Sequence, residues 1–347
     1  MKINTVPYKG SKRKLLENIL SLTREVKCKT FFDGFSGSGI VSAFMRHNGY
    51  VVSSNDKMPS CHLYSKVFLE GFNQEQVTKH IDKINSISPK VGWLTNNYSG
   101  SKARKIRGTN GSVESRPLGF IVSNAMKLDA ARDYAESIQN DQDRSAVIFS
   151  IIIAANKVFN NSNDQKSCLK KWTAASQKDV VFSLPTYISG HKGASYNSDI
   201  VDIKNKEYDV VYLDPPYTTG VLYDACYHLN DSLCLWDKPN LDIDYAIPRP
   251  ERAVFKNSKP GRFYSKQKSR DQFHELLGMF DCQRIILSYS DAPRNVLSFE
   301  ELKEICERHG KLKIHSKSHK ICTQANSLNK KSTSLEEYFF VIDKTKG

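Results

Sequence analysis

The feature that most limits what this chain can fold into is a series near its start. A short aromatic run ends in an acid, Lys29-Thr-Phe-Phe-Asp33, and a glycine turn follows, Gly34-Phe-Ser-Gly37-Ser-Gly39. A helical stretch at 40–47 then leads to a second run ending in an acid, from Tyr50 to Asp56. Short apolar runs of this kind read as strands covered on both faces, and a glycine turn opening a helix carries the chain back across the sheet. The order strand, turn, helix, strand predicts a doubly wound, mostly parallel α/β sheet. Just upstream, residues 13–26 place apolar side chains at helical spacing.

The same rhythm returns late in the chain, with a buried strand over 208–214, a helix near 269–280 and a strand at 284–289. A helix at 299–309 and two strands, about 311–322 and 335–343, follow. Between these halves, residues 57–195 read as helices at 117–139 and 143–159 separated by polar segments, with little strand. The expectation is therefore two folding units: an α/β domain made of 1–56 and 196–347, and a largely helical insertion at 57–195. A chain of 347 residues has the length for both.

Charge gives the first hint of a partner. Fifty-one lysines and arginines against 37 acids leave a formal charge of +14, a standing attraction for polyanions. Nucleic acid is the partner this favours, although a generally basic protein gives the same balance. Two basic stretches lie in the expected insertion. Residues 99–112 mix Lys102, Arg104, Lys105 and Arg107 with glycine and serine and read as a mobile loop; residues 166–172 carry Lys170 and Lys171. Either could grip phosphates, and either is equally read as a solvated charge run.

The eight cysteines form no Cys-x-x-Cys pair and no close framework, which fits reduced thiols in the cytoplasm. Cys306, His309, His315, His319 and Cys322 match no common zinc spacing, so no metal is expected. The N-terminus has no apolar leader, and the longest apolar stretch, 146–155, is too short to span a bilayer.

Three elements carry chemistry. The glycine turn lets a ligand approach the N-terminus of a helix, where unbonded N–H groups favour an anion. It is neither a dinucleotide fingerprint nor a phosphate loop, and its form suits a ligand with a single carboxylate. Taken alone, it is also an ordinary left-handed turn. Asp56, at the end of the second strand, fits a carboxylate that binds ribose hydroxyls, or simply caps a turn. The third element is Asp214-Pro215-Pro216-Tyr217 after the strand Val-Val-Tyr-Leu, at the sheet edge where open α/β folds bind ligands.

An acid and a main-chain carbonyl, Asp214 and Pro215, suit methylation of an exocyclic amine. The lone pair of such a nitrogen is delocalised into its ring. Accepting its two hydrogens draws the nitrogen toward tetrahedral geometry and points the lone pair at an incoming methyl group, with no covalent enzyme intermediate. Tyr217 would stack on the base, once that base is flipped out of its duplex. Methylation at a cytosine ring carbon needs a thiolate after proline instead, and none of the eight cysteines follows a proline.

Tyr8-Lys9-Gly10-Ser11-Lys12, the turn at 33–39, Asp56, Asp199-Ile200 and Asp214-Pro-Pro-Tyr217, in this order, resemble the Dam-like, α-group class of adenine-specific DNA methyltransferases of restriction-modification systems. The resemblance spans nearly the whole chain, departing from the commonest pattern only at Ser11 and Ser36, both small. It implies a class I S-adenosylmethionine-dependent methyltransferase fold, Rossmann-like with seven strands, and a target-recognition domain in the insertion. It also implies that Tyr8, Lys9 and Lys12 contact the cofactor, while Asp33, Phe35, Gly37, Ser38 and Gly39 wrap its methionine part. Asp56 would bind its ribose, Asp199 and Ile200 its adenine, and Asp214 would border both cofactor and base. Tyr223 and His228, in a Tyr-His-Leu segment seen in one branch of the family, would line the DNA cleft. The partner implied is double-stranded DNA, met by a monomer, with any cognate endonuclease sharing the site but not bound. RNA, a protein glutamine or the cytosine amine remain alternatives for the same chemistry, and a catalytically dead DNA-binding module for the fold.

Overall fold

The computed structural model describes residues 3–105, 113–161, 164–217, 222–242, 247–250, 253, 263, 265–290, 294–320 and 334–344. It divides into two compact units, one of Met1–Gly71, Ile188–Val221 and Lys259–Gly347, the other of Phe72–Tyr187 and Leu222–Ser258.

The first unit is built on a seven-stranded sheet. Its strands are β1 (Thr30–Asp33), β2 (Val51–Asn55), β3 (Ala194–Tyr196), β4 (Glu207–Leu213), β5 (Asp281–Ser290), β6 (Lys311–Lys320) and β7 (Ser334–Asp343). They lie in the order β6-β7-β5-β4-β1-β2-β3. Pairing is parallel from β5 through β4, β1 and β2 to β3, and β7 runs antiparallel to both β5 and β6. A parallel sheet must be covered on both faces, and β1 shows how the residues arrange it. Phe31 stacks on Tyr212 on one face at 6.4 Å, while Phe32 meets Tyr208 at 4.7 Å and Phe280 at 5.3 Å on the other.

Among the described residues, five α-helices flank the sheet: α1 (Leu16–Arg24), α2 (Ile40–His47), α3 (Pro59–Glu70), α4 (Lys266–Gly278) and α5 (Phe299–Glu307). On the Phe32 face, Phe273, Leu276 and Leu277 of α4 and Leu302 and Ile305 of α5 join Val211, Ile285, Leu287 and Phe340 in one buried cluster. Each such side chain, fully buried, stabilises the fold by about 2 kcal/mol. From β1 the chain proceeds outward to β2 and β3, and from β4 it proceeds the other way to β5. The carboxyl ends of β1 and β4 therefore form the switch point, where an open sheet leaves a crevice for ligands. This order, with β7 the one reversed strand, is the class I methyltransferase fold expected from the sequence.

The second unit is mainly helical. It comprises Gln74–Ser86, Trp93–Tyr98, Val122–Ala135, Asp141–Val158, Tyr223–Cys226 and His228–Leu235, together with two small antiparallel hairpins. Asn73 and Asn140 cap two of the helices through their side-chain oxygens. Among the described residues, no helix is long and apolar enough to cross a membrane.

The division differs from the one drawn on the sequence, in which 57–195 formed the insertion. Helix α3 belongs with the sheet: its Leu69 carbonyl accepts from Gly193 N at 2.9 Å, and His62 Nδ1 meets Ser195 Oγ at 3.0 Å. Residues 222–258, read as part of the catalytic domain, belong with the helices. Gln165 N donates to the Cys226 carbonyl, Arg132 Nε to that of Leu233 and Trp93 Nε1 to that of Pro239. An apolar stripe shows that a helix packs, but not on which body. The basic stretch at 99–112 is also corrected in part. Ser101–Lys105 pairs with Val113–Pro117 as a hairpin, so Lys102, Arg104 and Lys105 stand on a strand, while Arg107 lies outside the described residues.

Candidate active site

The glycine turn is shaped by bonds that only its sequence permits. Gly34 N donates to the Tyr212 carbonyl at 2.9 Å, tying the turn to β4, and Ser36 N donates to the Asn55 carbonyl at 3.0 Å, tying it to β2. Gly37 sits at φ +49° and Gly39 at φ +72°, both in the left-handed region. A Cβ on Gly37 would stand 2.8 Å from the Tyr8 ring, and one on Gly39 would stand 3.0 Å from Phe68. Tyr8 thus closes over the turn, and Gly39 is the N-cap residue of α2. Phe35 packs edge-on against Phe263 at 5.8 Å, and Ser38 is buried.

Two acids flank this turn. Asp56 accepts from Gly37 N at 2.8 Å through one carboxylate oxygen and from Met58 N at 2.9 Å through the other, which fixes the acid at the end of β2. Asp33 accepts from Ser42 Oγ at 2.6 Å through Oδ2, while its Oδ1 is buried with no partner among the described residues. Burial raises the Asp33 pKa to about 7, with Asp214 and Asp56 adding to the rise and the Ser42 hydroxyl opposing it. A buried acceptor without a donor is costly, so Oδ1 is a place for a ligand's N–H. After β3, Ile200 is buried beside Gly34, where an added Cβ would stand 3.3 Å away. Asp199 stays partly open and faces Lys57 Nζ at 3.6 Å.

Asp214 follows the last residue of β4. Its Oδ2 accepts from Lys12 Nζ at 2.7 Å, and no hydrogen bond among the described residues ends on Oδ1. Burial raises the Asp214 pKa to about 6, with Lys12 opposing the rise and Glu337 adding to it. Burial alone would lower the Lys12 pKa, but the anionic surroundings of Asp214 and Glu337 outweigh it and raise the pKa well above the usual lysine value. Lys12 is therefore a fixed cation and not a proton carrier. The resemblance gave Lys12 only a cofactor contact, whereas the fold places it against Asp214. Tyr217 is held on the other side of the turn. Its ring lies 4.2 Å from Tyr289, its hydroxyl accepts from Ser290 N at 3.1 Å, and its carbonyl accepts from Val296 N at 2.9 Å.

The expected DNA contacts all fall in the second unit. Lys170 and Lys171 are exposed, and Tyr223 is half-buried, its ring 6.4 Å from that of Tyr227. His228 does not fit a cleft-lining role in this structure: it is 1% exposed, its Nε2–H donates to the Gln165 carbonyl at 2.9 Å, and Nδ1 faces the Tyr98 hydroxyl at 3.5 Å. Both ring nitrogens serve the interior of that unit. Of the other cluster read on the sequence, Cys306 lies in the buried core of the sheet unit and His309 Nε2 meets His274 Nδ1 at 3.1 Å, while Cys322 lies outside the described residues.

One site residue went unread in the sequence. Glu337 on β7 is 3% exposed and accepts from Ser288 Oγ at 2.5 Å, and its Oε1 lies 3.3 Å from Lys12 Nζ. The only local signal was an acid beside the apolar run Tyr-Phe-Phe-Val-Ile.

The sequence matches the family of D12 class N6 adenine-specific DNA methyltransferases over residues 8–249. The Type II methyltransferase M.NlaIII of Neisseria lactamica is 27% identical over 355 residues, covering 97% of this chain and 99% of that protein. The Type II methyltransferase M.FokI of Planomicrobium okeanokoites is 27% identical over 358 residues, covering 96% of this chain and 52% of that protein. The modification methylase LlaI of Lactococcus lactis subsp. lactis is 23% identical over 321 residues, covering 87% of this chain and 48% of that protein. The chain thus spans about half the length of the latter two. With the glycine turn and the Asp214 turn meeting at one edge of the sheet, and the match taking in both, the chain belongs to the D12 class N6 adenine-specific DNA methyltransferases.

Proposed function

We propose that this enzyme flips an adenine out of duplex DNA at a short specific site and methylates its 6-amino group, with Asp214 and Pro215 as the two acceptors. The observation that carries this reading is the state of the Asp214 carboxylate. Lys12 claims Oδ2, leaving Oδ1 for the amine, and Asp214 and the glycine turn follow the ends of two adjacent parallel strands, β4 and β1.

The methyl donor of this family is S-adenosylmethionine, whose sulfonium supplies an electrophilic methyl group when bound. The residues present fit it. The start of α2 suits the donor's carboxylate and Asp33 Oδ1 awaits its ammonium, while Gly37 and Gly39, tight against Tyr8 and Phe68, keep the turn closed and left-handed between them. Asp56 would bind the ribose, and Asp199 and Ile200 the donor's adenine. Tyr8 and Lys9 would close over it.

On the substrate side, Asp214 Oδ1 and the Pro215 carbonyl accept the two amine hydrogens, so the nitrogen lone pair leaves the ring plane and turns to the methyl group. The amine lone pair would form the N–C bond as the sulfonium's S–C bond breaks with its electron pair left on sulfur, and the surplus proton of the methylated amine would pass to Asp214. Tyr217, fixed against Tyr289, offers its remaining surface to the base. The helical unit, with the basic hairpin and Lys170 and Lys171, would recognise the target as part of a cytoplasmic, monomeric modification enzyme.

Transfer of tritiated methyl groups into duplex DNA, followed by digestion to nucleosides, tests the reading. Label should co-elute with N6-methyldeoxyadenosine; label in methylcytidine, or appearing only in RNA or protein, would overturn it.

Asp33 gives a pH dependence of known sign. Its pKa is raised to about 7, so above that pH it is an anion able to pair with the donor's ammonium, and below it the pairing is lost. Cofactor affinity measured by calorimetry should therefore weaken as pH falls through about 7, by up to about tenfold per unit. Asp33→Asn should bind weakly with a flat profile, and a profile as steep as that of the parent enzyme in this variant would remove Asp33 from the role.

A further inference from the structure

We infer that Glu337 is a positioning residue of the methyl-transfer site, acting through Lys12 to set where the Asp214 carboxylate stands and how strongly it accepts. The inference rests on Asp214 being the amine acceptor. Glu337 lies on β7, outside the residues 8–249 that match the family.

The geometry begins with the donors of Lys12. An ammonium group has three hydrogens, and three oxygens stand around Nζ: the Gly10 carbonyl at 3.2 Å, Asp214 Oδ2 at 2.7 Å and Glu337 Oε1 at 3.3 Å. Two of these, the Gly10 carbonyl and Asp214 Oδ2, accept hydrogen bonds from Nζ, and Glu337 faces it as the second ion-pair partner. Lys12 and Glu337 are both nearly inaccessible, with side chains 7% and 4% exposed, while the Asp214 side chain remains 19% exposed. The far carboxylate is anchored in turn, because Ser288 Oγ on β5 donates to the same Oε1 at 2.5 Å. Register makes this possible: β7 runs antiparallel to β5 with Glu337 opposite Ser290.

Electrostatics then gives Glu337 more than a structural role. One cation shared between two carboxylates neutralises neither completely. Asp214 keeps more negative charge, and so greater basicity, than it would in a private ion pair with Lys12. The other groups facing this cluster are Asp33 on β1, Tyr212 on β4 and Tyr217 after it; burial raises both phenols far above their usual range, so they stay neutral. Glu337 is thus the anion that opposes Lys12 at Asp214, and it pushes the Asp214 pKa up while Lys12 pulls it down. Neutralising Glu337 should leave Asp214 a weaker acceptor.

Glu337→Gln tests this, because the amide oxygen can still accept from Ser288 and stand beside Lys12 while the charge is gone. At saturating cofactor and DNA, the single-turnover rate should fall by about tenfold on its plateau, as expected for a less basic acceptor. Its acid limb should move below the value of about 6 set by Asp214. A merely structural loss would lower the rate without moving the limb. Should Glu337→Gln fail to fold, Glu337→Asp, which keeps the charge but withdraws it by one methylene, should move the limb the same way by less. An acid limb unmoved in the folded variant overturns the inference. Asp214→Asn in the same assay separates the two readings: persistent transfer there sinks Asp214 itself. Lost transfer there, combined with an unmoved limb in Glu337→Gln, sinks only Glu337.

Discussion

Asp214→Asn is expected to lower the rate of methyl transfer by about a hundred- to a thousandfold, the range found when one preorganised electrostatic partner of a transition state is removed. The amide keeps the size of the carboxyl group and can still meet Lys12, but its oxygen carries no net charge as the amine nitrogen becomes positive. Lys12 would retain Glu337 and the Gly10 carbonyl as partners, so the fold should survive. Cofactor binding, followed by equilibrium dialysis, and duplex binding, followed by gel shift, should stay within a few-fold of the parent enzyme. Transfer within tenfold of the parent would show that Asp214 is not the acceptor.

Lys12→Met should act in the opposite sense on the same carboxylate. Lys12 is the group that holds the Asp214 pKa down against burial and Glu337, and methionine has similar length but no charge. Without the cation, the Asp214 pKa rises above about 6, so the carboxylate is lost at a higher pH. The acid limb of the pH–rate profile should therefore move upward, and activity lost near neutrality should return in part under alkaline conditions. Removing one partner of a buried ionic group also costs about 3–5 kcal/mol, less whatever is regained when a carboxyl group takes up a proton. Thermal melting should show this as a lower midpoint. A profile whose acid limb stays near 6 in a folded Lys12→Met protein would falsify the coupling. Set beside the Glu337→Gln profile, the two limbs should move apart in opposite directions, which a general loss of packing would not produce.

Much of this site was legible in the chain before any fold was known, and the reason is that its signals are local. Phe31, Phe32 and Asp33, the left-handed glycines at 37 and 39, the helix that begins at Ile40 and the proline turn after Leu213 each follow from side-chain periodicity or backbone limits within a few residues. These were enough to imply the sheet, the glycine turn at its edge and the acid beside it, and helix α2 took the bounds its sequence implied.

What tertiary structure alone decided are the partners that lie far along the chain. Lys12 and Asp214 are 202 residues apart, and Glu337 reaches the pair from the last strand. No periodicity links such positions; they meet because β7 enters antiparallel in one register, which turns Glu337 inward beside Ser288. The unit boundaries escaped the sequence for a related reason, since α3, buried nearly all round, and the helix Gln74–Ser86, buried along Val77, Ile81 and Ile84, are adjacent in the chain but belong to different units. His228 escaped it too, because its motif named a residue type while its surroundings, Gln165 and Tyr98, decided that it is buried. The sequence by itself determined which elements form and which residues could do the chemistry. The fold determined which charges share a low-dielectric site, and the strength of Asp214 as an acceptor depends on that shared surrounding.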